Sequence, residues 1–383
     1  MMPEKYILIL FGTNEVAYSA AAALEGTGYK IVCFFSEAAN NFVKFSDKIH
    51  VKGFSVFPWD SDKYLQGLTA FLKRFDSSKR ILTLLCNDEA VFFWIKHQVV
   101  LSQYCTALTE KVEDFYDKIS LYSLLGQISV AHPLSWPLSE ASEDRLPFLI
   151  KPAFRDLSSG ANAGDGRKIK IIRNASDFKK LELVNPERWI CQEILEFNMG
   201  DEYSWWGYRS PTGEISSTVA RHKRKFPNKN GRVSNLEIIA HPSIKLVGDS
   251  IVKQLDCRGI AEIQFIFDRN ANIFKVTDFN PRLWCGHSAL LINNMNLIKN
   301  CADDYYQSPI ENSAGASLYE LETFHRKEWF SILDNFYDFN VFKIRCSEFC
   351  GRGSDNFKTR VLLSVFLFVK FVYYFLTQGL IRK

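Results

Sequence analysis

Residues 260–282 read IAEIQFIFDRNANIFKVTDFNPR, and this segment is the most informative part of the sequence. Apolar residues dominate Ile260–Phe267 and Ile273–Phe279, as is typical of buried strands. The polar residues between them, Asp268–Asn272, are typical of a turn. The segment therefore predicts a β-hairpin.

Three oxygen-bearing side chains of this hairpin can face one side. Asp278 and Asn280 lie two residues apart, so they share a face of their strand. Gln264 lies on the preceding strand, where it can face them, and hard oxygen ligands of this kind suit Mg²⁺. Arg282 shares that face if the strand continues through Pro281, and its guanidinium could then hold a phosphate or an oxyanion. Taken alone, the sequence Asp278–Arg282 is more often a turn after an edge strand.

Two lysines and a small-residue loop upstream favour a metal and phosphate site over a simple turn. Asp117-Lys118 opens a helical segment that ends near Gly126. Pro147–Pro152 (PFLIKP) predicts a strand that carries Lys151 among apolar neighbours. Residues 158–166 (SSGANAGDG) form a loop of small and polar residues, whose backbone N–H groups can approach phosphate oxygens. Further strands are predicted at 189–195 and 202–208.

The N-terminal part of the chain predicts a parallel sheet. Apolar runs at Tyr6–Phe11, Ile31–Phe35 and Ile81–Cys86 are typical of strands buried on both faces. A helix over 15–25 links the first two runs, which requires a parallel crossover. Because the turn at Gly12–Glu15 lacks the Gly-x-Gly-x-x-Gly pattern, a structural Rossmann-like lobe is favoured over a dinucleotide site, and a nicotinamide-dependent oxidoreductase is disfavoured.

In this order, the elements resemble the ATP-grasp superfamily, particularly its carbamoyl-phosphate-synthetase-like carboxylate–amine ligases. The motifs that carry the resemblance are Asp117-Lys118, Leu149–Pro152, Gln192–Leu195, Asp201–Ser204, Ala261–Phe265 and Asp278–Arg282. The resemblance implies an α/β fold that is α+β in the ATP-binding part. It implies a Rossmann-like pre-ATP-grasp domain at 1–110 and an ATP-grasp domain at 111–300, with two lobes and a hinge near 192–195. A mostly helical C-terminal region at 301–383 would follow.

The resemblance also implies which residues bind ATP. Two lysines would contact its phosphates, and three small residues would lie in the loop that closes over them. The hinge would read the adenine edge, with one glutamate accepting from the amino group, and a second glutamate would hold the ribose hydroxyls. In that order these residues are Lys118 and Lys151; Ser158, Ser159 and Gly160; Gln192, Glu193 and Leu195; and Glu202.

The metal site and the reaction follow from the same resemblance. Gln264, Asp278 and Asn280 match the ligands of Mg²⁺, or Mn²⁺, and Arg282 matches the catalytic arginine beside them. The implied reaction is ATP-dependent amide formation through an acyl phosphate, with release of ADP and phosphate. Asp278 stands where the family usually has Glu, and the loop is poorer in glycine than usual. An alternative therefore stays open: a weak or inactive nucleotide-binding protein that acts as a scaffold.

Composition sets broader limits. With 47% hydrophobic and 23% charged residues, the chain is not disordered, collagen-like or a coiled coil. A net charge of +4 is too weak to indicate nucleic acid. The nine cysteines lack paired spacing, and Cys346 and Cys350 lack two further metal ligands, so we expect reduced thiols in a cytoplasmic protein. No secretion signal, biotin-carrier segment or amidotransferase segment is recognised.

The implied partners are ATP, a small-molecule carboxylate and an amine such as an amino acid or a sugar-linked amine (less often a thiol). A homodimer is left open. The basic stretch Arg221–Arg232 reads as a solvated face or a nucleic-acid contact, but we prefer a role for Arg221 or Lys223 in attracting an anionic substrate. His287 could touch a substrate, although packing is the favoured interpretation.

The C-terminal tail is unusually apolar. Residues 361–376 form a predicted helix interrupted by Ser364 and Lys370, and extension to Ile381 would be long enough to span a membrane. The mid-helix lysine makes insertion marginal. A helix lying on the cytoplasmic face of a membrane and a helix packed on the protein are equally good interpretations, and both are favoured over a spanning helix.

Overall fold

The structure, a computed structural model, contains three β-sheets with helices packed against them. It describes residues 5–10, 14–36, 48–75, 81–107, 109, 112–153, 169–181, 189–226, 232–284, 286, 288–292, 295–307 and 322–324.

The first sheet is parallel and is built from the N-terminal part of the chain. Its elements are β1 (Tyr6–Leu10), α1 (Asn14–Ala23), β2 (Lys30–Ser36), β3 (Val51–Ser55), α2 (Asp62–Leu72), β4 (Ile81–Leu85), α3 (Asp88–Leu101) and β5 (Cys105–Ala107). The strand order is β3-β2-β1-β4-β5, and every neighbouring pair is parallel. The parallel sheet predicted from the apolar runs is confirmed. Gly26, at a φ of 75°, lies just beyond α1, where a left-handed residue commonly follows a helix.

A small antiparallel sheet follows. Its region contains α4 (Val112–Tyr116), α5 (Lys118–Gln127), β6 (Ser135–Pro137), two short 3₁₀ turns (Leu138–Glu140 and Glu143–Arg145), β7 (Phe148–Pro152), β8 (Lys170–Ile172), α6 (Ala175–Lys179) and β9 (Trp189–Glu193). The strand order is β6-β9-β7-β8. The side chain of Asp117 accepts a hydrogen bond from the backbone N–H of Ile119 and so caps α5, which fixes where that helix begins.

The large sheet is antiparallel throughout. It is formed by β10 (Glu202–Arg209), β11 (Ile215–Phe226), β12 (Arg232–Ile239), β13 (Gly259–Asp268), β14 (Ile273–Asn280) and β15 (Glu322–Phe324), with α7 (Pro242–Gln254) between β12 and β13. The order is β14-β13-β10-β11-β12-β15. The predicted hairpin at 260–279 is confirmed as β13 and β14.

Two helices, α8 (Ser288–Ile292) and α9 (Leu297–Tyr305), connect the large sheet to the parallel sheet. Residues of both sheets and of α9 share one apolar core. The Tyr29 hydroxyl donates to Asp303 at 2.6 Å, and the Asn296 amide donates to the Ala23 carbonyl at 2.5 Å. These contacts hold α9 against the part of the chain that forms the parallel sheet.

The C-terminal expectations fall largely outside this description. Residues 325–383, which include the apolar segment 361–376, lie outside the described residues. Across the described ranges, no helix is both long enough and apolar enough to cross a membrane. The domain boundaries at 110 and 300 stay predictions.

Candidate functional site

The hairpin of β13 and β14 places four polar side chains on one face. Gln264 lies directly opposite Asp278, and Glu262 lies directly opposite Asn280. Residues opposite each other in an antiparallel pair point to the same side of the sheet. Asp278 and Asn280 are 8% and 3% exposed, so this part of the polar face is covered, whereas Gln264 is partly exposed.

A β-bulge interrupts the hairpin next to Asp278. The pairing passes from Gln264 opposite Asp278 to Phe265 opposite Val276, which leaves Thr277 without a residue opposite it. A bulge releases a backbone group from the ladder and re-aims the neighbouring side chains. The released carbonyl of Thr277 accepts a hydrogen bond from the Tyr122 hydroxyl at 2.9 Å.

Lys118 is the first residue of α5, and its ammonium reaches across to the hairpin. The Lys118 ammonium donates to the carboxylate of Asp278. The two side chains are only 8% and 11% exposed, which makes this a buried ion pair. The backbone N–H of Lys118 donates to the carbonyl of Ala153, just after β7, at 2.9 Å. The structure thus brings one residue expected to bind phosphate onto one residue expected to bind metal.

Lys151 approaches the same region from β7. Its ammonium donates to the Tyr122 hydroxyl at 2.9 Å. The amide of Gln192 donates to the same hydroxyl at 3.0 Å and to the Ser135 hydroxyl at 3.1 Å. Within the part of the chain that the structure describes, no carboxylate lies within ion-pair distance of Lys151, in contrast to Lys118.

The segment expected to read adenine is anchored to the large sheet. Glu193 ends β9, and its carboxylate accepts from the Lys275 ammonium at 2.5 Å and from the backbone N–H of Leu134 at 2.9 Å. Lys275 also pairs with Asp268 at 2.9 Å. Burial lowers the pKa of Lys275, but the hydrogen bonds that its ammonium donates to Glu193 and Asp268 outweigh burial and raise the pKa above its usual value. Leu195 is 9% exposed and follows the strand rather than forming part of it.

Glu202 is the first residue of β10 and is buried at 8% exposure. Its carboxylate accepts a hydrogen bond from the Lys225 ammonium at 2.7 Å. Arg221 and Lys223, on β11, lie within 3.5 and 3.8 Å of Glu237, so the basic stretch is partly neutralised on the sheet itself. Their role toward an anionic substrate stays a prediction.

Arg282 is placed differently from the strand position considered from the sequence. Strand β14 ends at Asn280, because Pro281 has no N–H to continue the ladder. The Arg282 guanidinium turns toward α3, where its Nε donates to Asp88 at 2.8 Å, and another nitrogen lies 3.3 Å from the Asn280 side-chain oxygen. Burial lowers the pKa of Arg282, but the neighbouring Asp88 chiefly restores it and raises it above its ordinary value. The guanidinium therefore stays charged beside the hairpin.

A chain of buried hydrogen bonds extends this face across the sheet. The Glu262 carboxylate accepts from the Ser204 hydroxyl at 3.0 Å, the Trp206 indole at 3.0 Å and the Asn280 amide nitrogen at 3.1 Å. The Ser204 oxygen lies 2.9 Å from Nε2 of His222. Burial, and to a smaller extent Lys225, lowers the pKa of His222 to about 3. A neutral imidazole thus ends the chain.

The donor set on the hairpin face fits a divalent cation. Asp278 supplies a carboxylate, and Gln264 and Asn280 supply amide oxygens, which are the hard ligands that Mg²⁺ prefers. Glu262 accepts from the Asn280 amide nitrogen, so the amide oxygen of Asn280 points away from Glu262. The Lys118 ammonium on Asp278 shows that this position already accommodates a positive charge.

Several expected residues lie outside the described residues. They are Ser158, Ser159, Gly160, His287, Cys285, Cys346 and Cys350. The other six cysteines are buried free thiols (Cys33, Cys86, Cys105, Cys191, Cys257 and Cys301).

Sequence reasoning missed three residues of the site, namely Tyr122, Glu262 and Asp88. Tyr122 lies four residues after Lys118, which is one helical turn along the same face. Glu262 lies two residues before Gln264, on the same side of its strand. Asp88 follows a parallel strand, and ligands of open α/β sheets bind beyond the carboxyl ends of such strands. Each signal was present, although none is specific by itself.

Comparison with known proteins supports the fold. No protein-family model matches the sequence, and no curated protein sequence matches it. An ADP complex of N5-carboxyaminoimidazole ribonucleotide synthetase superposes with a TM-score of 0.63 at 14% identity, over 96% of this chain and 97% of that chain. N5-carboxyaminoimidazole synthetase from Staphylococcus aureus gives a TM-score of 0.64 at 14% identity, over 88% and 87%. A biotin carboxylase–ATP complex from Campylobacter jejuni gives 0.60 at 15% identity, over 82% and 73%.

These proteins are ATP-grasp enzymes, and the superpositions extend over most of this chain. The fold expected from the sequence motifs is therefore confirmed: the protein has the ATP-grasp fold.

Proposed function

We propose that the protein is an ATP-dependent ligase that joins a small-molecule carboxylate to an amine, and that Mg²⁺ or Mn²⁺ assists it. The observation that carries the proposal is the hairpin face of Gln264, Asp278 and Asn280 with the Lys118 ammonium on it. Oxygen ligands and a phosphate-binding cation within one buried cluster suit a metal–nucleotide complex.

Different residues around this face would bind the phosphates, the adenine and the ribose of the nucleotide. Lys118 and Lys151 would neutralise the phosphate oxygens. Glu193 and the backbone near it would bind adenine, and Glu202 would hold the ribose. A divalent cation held by Gln264, Asp278 and Asn280 would neutralise charge on the phosphates.

The reaction needs no protein nucleophile. A carboxylate oxygen of the substrate attacks the γ-phosphorus of ATP, the bond to the β–γ bridging oxygen breaks, and ADP leaves. The amine nitrogen then attacks the acyl carbon, the carbon–oxygen bond to phosphate breaks, and the nitrogen releases a proton to solvent. The protein contributes by positioning the reactants and by stabilising charge. Arg282, which is buried, charged and beside the hairpin, would hold the developing oxyanion.

The test is ADP release from Mg-ATP across a panel of carboxylates and amines, with hydroxylamine to trap an acyl phosphate. Lys151→Met should abolish ADP release while leaving the fold intact, because Lys151 has no carboxylate partner among the described residues. Lys179→Met is the matched control, since this lysine lies in the same region with its side chain 74% exposed and should be dispensable.

Two results would contradict parts of this proposal. Unchanged ADP release by Lys151→Met would show that the lysine does not contact phosphate. Measurable ATP binding without turnover for any pair of substrates would instead favour a nucleotide-binding scaffold, which the shorter Asp278 had left open.

A further inference from the structure

The Tyr122 hydroxyl is the common partner of three parts of the candidate site. It accepts from the Lys151 ammonium at 2.9 Å and from the Gln192 amide at 3.0 Å, and it donates to the Thr277 carbonyl at 2.9 Å. A phenol has one donor and two acceptor sites, so these contacts use its full capacity. The hydroxyl therefore has one defined orientation.

The position of the Tyr122 ring is also fixed. The residue is 5% exposed, and its ring stacks on His132 with centroids 5.2 Å apart and an interplanar angle of 13°. Tyr122 lies one turn after Lys118 in α5. That helix therefore contacts two consecutive residues of β14, because Lys118 binds the Asp278 side chain while Tyr122 binds the Thr277 carbonyl.

The chemistry of the partner matters for Lys151. A carboxylate in place of the phenol would neutralise the ammonium and compete with a phosphate for it. A neutral hydroxyl fixes the direction of the side chain without neutralising its charge. One of the three N–H donors of the ammonium binds Tyr122, and the other two are available to phosphate oxygens.

We propose that Tyr122 is a positioning residue that aims Lys151 at the nucleotide phosphates. The bulge at Thr277 anchors it, because that bulge provides the carbonyl that orients the hydroxyl. This inference rests on the proposed function, since it assumes that Lys151 contacts phosphate.

The experiment measures the affinity for ATP, ADP and adenosine, with Mg²⁺ present, in the unmodified protein and in Tyr122→Phe. The variant keeps the ring and its stacking and removes only the hydroxyl. We expect ATP and ADP to bind about tenfold more weakly, which corresponds to one hydrogen bond to a charged group, while adenosine binds unchanged. Tyr64→Phe is the matched control, since it removes a buried hydroxyl that donates to the Phe34 carbonyl at 2.9 Å in the parallel-sheet lobe.

A double-mutant cycle separates positioning from a merely structural role. In the Lys151→Met background, Tyr122→Phe should change ATP affinity by less than about twofold, because residues that act through one another are not additive. Additive effects, equal losses for adenosine and ATP, or failure of Tyr122→Phe to fold would overturn the positioning role. Unchanged ATP binding by Tyr122→Phe would overturn it too. If the unmodified protein bound neither ATP nor ADP, the proposed function would fall as well, so the two failures are distinguishable.

Discussion

The buried pair of Lys118 and Asp278 makes the substitution Asp278→Asn a sharp test of the site geometry. Asparagine keeps the shape of the side chain and one oxygen, but it removes the charge that faces the ammonium. The Lys118 ammonium would then stay buried without the Asp278 carboxylate. We expect a clear loss of stability in the ligand-free protein, independent of any activity.

The size of the loss follows from burial and distance. Two unit charges about 4 Å apart interact by about 4 kcal/mol at an effective dielectric constant near 20. Removing one partner of a buried pair costs about 3–5 kcal/mol. Because the two side chains are only 8% and 11% exposed, solvent screens their interaction only weakly. The remaining amide oxygen of Asn places the expected cost near the lower limit, at about 3 kcal/mol.

The assay is thermal unfolding followed by tryptophan fluorescence. For domains of about 150–250 residues, 1 kcal/mol shifts the midpoint by about 2–4 °C, so the expected drop is about 6–12 °C. Glu143→Gln is the control, because Glu143 pairs with Lys179 at 3.6 Å with both side chains more than half exposed. Exposed pairs contribute about 0–1 kcal/mol, so its midpoint should hardly move.

Equal midpoints for Asp278→Asn and Glu143→Gln would refute the reasoning. Lys118→Met provides the converse change, since it removes the ammonium that pairs with the buried Asp278 carboxylate. The double variant should lose less stability than the sum of the two single variants, because both remove the same interaction.

Two further predictions concern other buried groups. The pKa of His222 is lowered from 6.5 to about 3, so the native state should lose stability as the pH falls from 6.5 toward about 3. His222→Gln should flatten the midpoint-versus-pH curve in that window, and parallel curves would contradict the burial of a neutral imidazole. In α7, a Cβ on Gly248 would lie 2.3 Å from the Trp205 ring, so Gly248→Ala should cost about 1–3 kcal/mol. Gly126→Ala in α5 meets no atom closer than 3.6 Å and should gain up to about 1 kcal/mol, and a stabilised Gly248→Ala would show that Trp205 lies elsewhere.

The strands could be predicted from the sequence because their periodicity is local. The run from Tyr6 and the runs from Ile31 and Ile81 are apolar on both faces, as a covered parallel sheet requires. The hairpin of β13 and β14 follows from two apolar runs around a polar turn. Its register at the site could not be expected in this way, because regular pairing from the turn would bring Gln264 opposite Thr277, and only the bulge brings it opposite Asp278.

The bulge and the ion pairs could not be predicted in the same way. The bulge at Thr277 is stabilised by Tyr122, which lies far away in the sequence. Lys118 and Asp278 are separated by 160 positions, and no local pattern records their pairing. Arg282 was placed on the strand only if the strand continued through Pro281, and the structure shows that it ends before that residue. Local sequence patterns thus predict the secondary-structure elements, while the partners of charged side chains depend on the tertiary fold.

The two lysines show how this difference bears on the proposed function. Asp278 already pairs with Lys118, so a phosphate that approached Lys118 would replace one anion by another and would separate the buried carboxylate from this ammonium. The exchange becomes favourable when a divalent cation takes the place of the ammonium beside Asp278, because neither charge then stays unpaired. Lys151 needs no such exchange, since a neutral hydroxyl holds it. The proposed site would therefore couple nucleotide binding to metal binding through Lys118 and Asp278, whereas a phosphate could reach Lys151 without displacing a carboxylate.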